Sequence, residues 1–309
     1  QRIRIQPVFQ IAEGLTFTTR FDAMEKQWGQ TNWKSTTAVT AAEGDNTNGR
    51  RNGMPGSSQK IQENIEWERG YVTFKTAIGQ FDVGYQIAAA WGTVFADSED
   101  TKPRIKWTLP MGPLTLLAIY EKRFEADTSL VPGYAGKADA DFDCYYLAAV
   151  YGFKGGNAGL LYGYIFNNTT RLAATPNRMQ LHLLAPYVKA TFGPVYVEAE
   201  VDYFFGKVAA FDNVAGATDQ KRDGWSAYAL AKVNMGPAYF GGQVGWSAGW
   251  DNTGDTNKNG GGGGTDWNPA LILMNDELAT WSTNAGGVTA NNASNSLKNN
   301  MLLWNVFGG

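Results

Sequence analysis

The segment 191–205, TFGPVYVEAEVDYFF, constrains this chain more than any other. It opens on a tight turn, Phe192-Gly193-Pro194, and continues as a strand of regular alternation. Val195, Val197, Ala199, Val201, Tyr203 and Phe205 share one face. Tyr196, Glu198, Glu200, Asp202 and Phe204 share the other, because successive side chains of a strand point to opposite sides. One face is wholly apolar, and the other carries three carboxylates within five residues. Two environments accept such a strand. In a soluble sandwich the apolar face is core and the acidic face meets water. In an outer-membrane barrel the apolar face meets lipid and the acidic face a water-filled lumen.

The same pattern recurs along the chain. Six short turns punctuate it, at 12–14, 78–80, 111–113, 153–156, 192–194 and 235–237. Glycine supplies positive φ and proline cannot continue a central ladder, so each reads as a hairpin tip. Three have the form apolar-Gly-Pro-apolar, and beyond the wide first interval the turns recur every ~33–43 residues, as a repeated supersecondary unit does. Alternating segments flank every turn: 3–11 and 15–23, 71–77 and 81–90, 104–109 and 114–121, 142–151 and 158–166, 179–190 and 195–205, 225–233 and 238–248. A thirteenth strand is expected at 297–307. Pro7 and Pro186 count against the strands that hold them.

Long polar segments join the other ends: 28–63, 92–103, 124–141, 167–178, 206–223 and 249–296. Short turns at one rim and long loops at the other is the asymmetry of an outer-membrane barrel; a sandwich mixes both kinds at both ends. Aromatic residues gather at the strand ends, with Phe192, Tyr196, Tyr239 and Phe307 near the turns. Trp28, Trp91, Phe204, Phe205, Trp246 and Trp250 lie near the loops. Amphipathic rings favour a membrane–water interface. The expected fold is therefore all-β: a transmembrane antiparallel up-and-down β-barrel, a single domain over 1–309.

Composition narrows the function. Twenty-six basic against 29 acidic residues give a net charge of −3, with no basic field for nucleic acid. No run approaches the ~18 apolar residues of a membrane helix, which says nothing against strands that look half apolar. Cys144 and His182 are the only cysteine and histidine. An internal disulfide, a haem-attachment motif and a Cys/His zinc cluster are excluded.

The stretches RIRIQPVFQ–LTFTTRFDAMEKQWG, IGQFDVGYQ–WGTVFADSE, LPMGPLTLLAIYEK, PYVKATFGPVYVEAEVDY and MGPAYFGGQ resemble the outer-membrane porins of the deltaproteobacterial type. The resemblance runs over most of the chain, on strands and turns. It implies a passive channel in the outer membrane of a Gram-negative bacterium, about sixteen strands, and a homotrimer. It implies the lipid bilayer and lipopolysaccharide as partners, and small hydrophilic solutes and ions as cargo. Thirteen strands is an odd number, whereas single-chain bacterial barrels have even counts. At ~24 residues per strand, sixteen strands need roughly 380 residues. The chain is thus expected to lack one strand in front and two behind, closure being required because lipid tolerates no unpaired edge.

The polar faces supply the candidate site. Arg2, Arg4, Arg20, Asp22, Arg104 and Lys106 lie on early strands, and Glu198, Glu200 and Asp202 on the tenth. Arg69 joins the basic set, although the alternation slips near 66–69 as it does at a bulge. A basic wall across from an acidic one creates a transverse field that orients polar solutes and tunes ion selectivity. An inward loop usually sets a porin's constriction; 28–63, 249–296 and 92–99 all qualify, the last with Asp97, Glu99 and Asp100 at its end.

Asp251 to Asn257 resembles an oxygen-ligand calcium loop around Asp251 and Asp255, but the spacing fits no EF-hand, and Asp/Asn/Gly loops are ordinary at barrel rims. Gly260 to Gly264 lacks the ending of a phosphate loop and reads as a linker. His182 has no serine partner marked in sequence, so a structural or lumen-facing histidine is expected rather than a catalytic one. Cys144 is read as a small apolar group. No cofactor, metal or catalytic constellation is expected. The rival readings are a barrel with a plugged lumen acting as scaffold or sheath, and a soluble carbohydrate-binding sandwich.

Overall fold

A computed structural model describes residues 3–23, 65–98, 100–125, 140–172, 175–212, 214–249, 264, 267, 269 and 301–309. They form fourteen strands and one 3-10 turn, Thr169–Leu172. The strands are β1 (Ile3–Ile5), β2 (Val8–Ala12), β3 (Leu15–Ala23), β4 (Ile65–Thr76), β5 (Gly79–Ala88), β6 (Asp100–Met111) and β7 (Leu114–Phe124). They continue as β8 (Phe142–Phe153), β9 (Gly156–Asn167), β10 (Asn177–Phe192), β11 (Val195–Phe211), β12 (Gln220–Met235), β13 (Ala238–Ser247) and β14 (Met301–Gly308). Strand order follows chain order, every pairing given in register is antiparallel, and β2 lies off this path against β3. All six expected turns are present as strand-to-strand connections. In the three Gly-Pro turns Gly112, Gly193 and Gly236 take φ of 63°, 58° and 65°, the left-handed region that a residue with a Cβ avoids.

The chain divides into two compact units, 1–72 and 73–309. In the first, the expected single strand 3–11 is two. β1 and β2 both pair with β3, and the register is kept across the gap: Ile5 lies opposite Phe21 and Val8 opposite Thr18. The break falls at Gln6-Pro7, where proline has no N–H for the ladder while its carbonyl still accepts from Thr19 N at 3.1 Å. Arg4 forms a two-pronged pair with Asp22, with both N···O distances 2.8 Å. Arg20 meets Glu68 at 2.8 Å. Phe21 packs on Trp67 on the opposite face, ring centroids 5.4 Å apart.

In the second unit, β5 to β14 form an uninterrupted meander. Pro186 is accommodated within β10, opposite Leu160 of β9. Burial along these strands is the inverse of a soluble protein's. Leu147 is 61% exposed and Trp304 69%, and Val83, Ile105, Leu160, Val244, Trp246 and Leu302 are exposed beside them. Asp82, Gln86, Glu121, Glu200, Asp202, Ser226 and Ser247 are buried. A soluble sandwich buries its apolar face because that is where the free energy of folding comes from. Here the polar face is covered and the apolar face is open.

The apolar face also carries a row of rings across β7 to β12. Tyr120, Tyr145, Tyr164, His182, Phe205, Tyr203 and Trp225 follow one another at centroid spacings of 5.4, 6.3, 5.2, 4.9, 5.1 and 3.9 Å. His182 is therefore an element of this belt, with Nδ1 2.8 Å from the Tyr162 hydroxyl. It does not look into the polar face, where Leu181 and Ala185 are buried.

Candidate functional site

The polar face of the second unit is not left to its own strands. After β5 the chain turns sharply at Ala89, φ 51°, and runs inward as a closed loop. Ser98 N donates to Ala89 O at 2.8 Å, and Trp91 N to Asp97 Oδ1 at 2.6 Å, which fixes the loop's base. Three contacts then carry it across to strands five to seven places further along. The Trp91 indole donates to Ala185 O of β10 at 2.8 Å, its ring edge-on to Tyr187. Thr93 N donates to Glu200 Oε2 of β11 at 2.6 Å. Phe95, wholly buried, stacks on Tyr228 of β12 with centroids 5.3 Å apart and planes within 5°.

Gly92 makes this approach feasible. Its φ is +63°, and a Cβ there would lie 2.7 Å from Glu200 Oε2. Of the three segments that qualified in sequence as an inward loop, this one is described almost throughout, and it lies across the polar face. The 28–63 segment and most of 249–296 lie outside the described residues. Beyond Gly249, three residues of the latter are placed. Gly264 N donates to Phe95 O at 2.6 Å, Trp267 Nε1 to Gln243 Oε1 at 3.0 Å, and Asn305 Nδ2 of β14 to Pro269 O at 2.8 Å.

The charges divide by strand. On β5 to β7 each cation has a carboxylate: Lys106 meets Asp82 at 2.9 Å, Arg104 meets Glu121 at 3.2 Å, and Arg123 meets Glu121 at 2.6 Å. Asp82 also accepts from Thr73 and Gln80, at 2.6 and 3.1 Å. Arg104 donates further to Ile87 O. On β11 the carboxylates have hydroxyl and amide donors instead. Glu198 accepts from Tyr196 at 2.6 Å and from Tyr228 at 2.8 Å, and Glu200 from Thr93. Among the described residues, none of Glu198, Glu200 and Asp202 is paired with a cation.

The sequence-derived site is thus placed as follows. Arg4, Arg20 and Asp22 share one cluster with Glu68 in the first unit, and the Arg69 carbonyl accepts from Thr19 Oγ1 at 3.0 Å. Arg104 and Lys106 lie together on β6, and Glu198, Glu200 and Asp202 together on β11. Arg2, Trp28, Trp250 and the Asp251–Asn257 stretch lie outside the described residues. Trp91, expected among the interfacial aromatics, instead turns inward onto Ala185. Cys144 is buried opposite Glu121 on the polar face. Among the described residues there is no group of histidine, cysteine or acidic side chains able to hold a metal.

Thr93, Phe95, Tyr228, Gln243 and Trp267 went unnoticed in sequence. The one available hint was Phe95, an apolar ring inside an otherwise polar connection.

Among solved structures the chain is similar to several bacterial outer-membrane porins and channels. A porin refined at 1.8 Å is 17% identical, with TM-score 0.45, over 80% of this chain and 75% of that one. The outer-membrane channel DcaP of Acinetobacter baumannii is 10% identical, with TM-score 0.46, over 80% and 66%. OmpF of Salmonella typhi is 9% identical, with TM-score 0.40, over 100% and 89%. No protein-family profile matches the chain, and no curated protein does.

Proposed function

We propose that the protein is an outer-membrane porin, a β-barrel whose water-filled lumen passes ions and small hydrophilic solutes by passive diffusion. One observation carries this reading: a buried, charged face on strands whose opposite face is apolar and exposed, with the 89–98 loop laid across the charged face. A lumen lined by polar side chains conducts, and a loop folded into it sets its width. The row of rings from Tyr120 to Trp225 belongs at one membrane–water interface. Homotrimer assembly, contact with lipopolysaccharide and closure as one domain of about sixteen strands are part of the same proposal.

The charges give the proposal a direction. On β6 Lys106 projects little field, because Asp82 cancels it at distances beyond the pair, and Arg104 is offset in part by Glu121, which it shares with Arg123. Among the described residues Glu198, Glu200 and Asp202 have no such partner, while Lys189, Arg222 and Lys232 on the same face lie over aromatic rings rather than beside a carboxylate. We infer that the contiguous acidic row, three carboxylates within five residues, gives the channel a preference for cations. Conductance of the full-length protein in a planar bilayer under a salt gradient tests both parts. Steady steps with a cation-selective reversal potential are expected. A folded, detergent-extracted barrel that carries no current would refute the channel.

That last outcome favours the second reading, a barrel with a plugged lumen. The observation on its side is the buried apolar cluster of Phe95, Tyr228 and Trp267 on the polar face.

A further inference from the structure

We propose that Trp267 is a second determinant of the passage's width: a positioning residue that backs the 89–98 loop through Phe95 and fills the side of the lumen along β13. The inference rests on the channel reading above and deepens it.

β13 carries little side chain on one face. Its polar face presents Gly241, Gln243, Gly245 and Ser247, as the register with β12 requires: Lys232 lies opposite Gly241, Leu230 opposite Gln243 and Tyr228 opposite Gly245. A strip of strand with so little side chain would leave the widest clearance on that wall. It is not left open. The Trp267 ring lies on Gly245 so closely that a Cβ there would overlap it. Its indole N–H is satisfied by Gln243 Oε1 at 3.0 Å. It meets Phe95 and Tyr228 edge-on, at centroid distances of 5.2 and 5.6 Å, and is 2% exposed. Buried tryptophan needs a partner for its N–H, and edge-on ring pairs add to the burial itself. Both conditions hold.

The ring therefore does two things. It occupies volume that the glycine strip vacates. It also completes a three-ring cluster in which Phe95, Tyr228 and Trp267 each touch the other two. Gly264 N–H on Phe95 O at 2.6 Å ties the backbone of the second segment to the loop. Asn305 Nδ2 on Pro269 O at 2.8 Å ties it to β14. The loop after β5 is thus braced from the far side by residues more than 160 positions later in the chain. Loss of the brace leaves Phe95 with one stacking partner, and the loop is expected to retract toward β5.

Single-channel conductance and the size cut-off for graded polyethylene glycols test this in wild type and three variants. Trp267→Ala should raise the conductance step about 1.2- to 2-fold and admit larger polymers, because pore width enters conduction directly. Gly245→Ala should act in the same direction, since a single carbon unseats the ring without removing any side chain. Gly242→Ala is the control: it lies on the same strand but the opposite face, where a Cβ meets nothing closer than 3.4 Å, and it should match wild type.

If Trp267→Ala does not reach the membrane folded, as judged by strand content and heat-modifiable gel mobility, Gly245→Ala decides. Wild-type steps with unchanged cut-off in both Gly245→Ala and folded Trp267→Ala would overturn the inference and leave the channel standing. A silent wild type would overturn the channel, and this inference with it.

Discussion

Gly92→Ala is the substitution through which the docked loop can be measured. Two separate costs arise. An L-residue held at φ +63° costs about 1–2 kcal/mol. The new methyl carbon would also lie 2.7 Å from Glu200 Oε2 and 2.9 Å from its carboxyl carbon. The carboxylate must then leave the Thr93 N–H, whose 2.6 Å bond is charge-assisted and worth about 1.5–3 kcal/mol net. Together the docked loop loses roughly 2.5–5 kcal/mol, a factor of about 60 to 4,000 in the docked-to-undocked ratio.

The expected result is channel noise or a larger step in a bilayer, with hydrogen exchange at the Thr93 amide accelerated to match. Gly216→Ala separates the two costs. Gly216 also has positive φ, +78°, but nothing lies within 4 Å of its Cβ position, so only the backbone cost remains. If Gly92→Ala left both the step and the Thr93 exchange rate at wild-type values, the loop would not depend on this latch, and the reasoning from Glu200 would be wrong.

Two further outcomes follow from the charge map. Arg104→Met removes one of the two cations that share the fully buried Glu121, so the reversal potential should shift further toward cations; an unchanged potential would mean that this charge does not reach the permeating ions. In the connection between β11 and β12, the bond and ion pair with Lys207, 2.6 Å away, hold the Asp219 carboxyl below its usual range, helped by the Phe211 N–H. A depressed value means that its contribution to the folded connection is complete above about pH 4, the ordinary aspartate value, and is lost as pH falls through the lower folded one. Protection of the Phe211 amide should therefore survive to a pH below the ordinary aspartate range, and earlier loss would contradict the pairing.

Much of the fold was legible because its signals are local. Period-two alternation and Gly-Pro turns are written within a few residues, and so the faces of β11 and the six turns read correctly. The strand ends did not. β11 runs on to Phe211, β4 begins at Ile65 and β6 at Asp100, all beyond the expected limits. The physical reason is that alternation marks a strand only where its two faces meet different surroundings. Toward the long connections charged side chains fall on both faces, as at Lys207, Lys221 and Arg222, and the ladder continues without a pattern to mark it. Pro7 worked the other way, interrupting a strand whose side-chain pattern runs straight through it.

The site was legible only in part, for a related reason. Parity along a strand placed Glu198, Glu200 and Asp202 together. The partners of Arg104 and Lys106 depend on which residues of β5 and β7 lie opposite, a matter of register between strands. The inward loop depends on contacts more than 90 residues apart, such as Trp91 with Ala185, and no local pattern announces them.

Glu200 joins the two halves of the proposed mechanism, since it is both the loop's acceptor and one of the three β11 carboxylates proposed to line the lumen. Glutamine at this position separates the roles. Glu200→Gln keeps an oxygen for the Thr93 N–H and removes the charge, at the expense of the stronger bond that an ionised acceptor makes. Glu200→Ala removes both. The amide variant should lower the cation preference while the conductance step stays near wild type; the alanine variant should lower the preference and also change the step. If the amide variant changed the step as much as alanine does, the bond from Thr93 would need the charge itself, and the field and the latch would be a single device. If neither variant moved the reversal potential, the acidic row on β11 would not face the permeating ions, and the negative field would have to be sought on another strand.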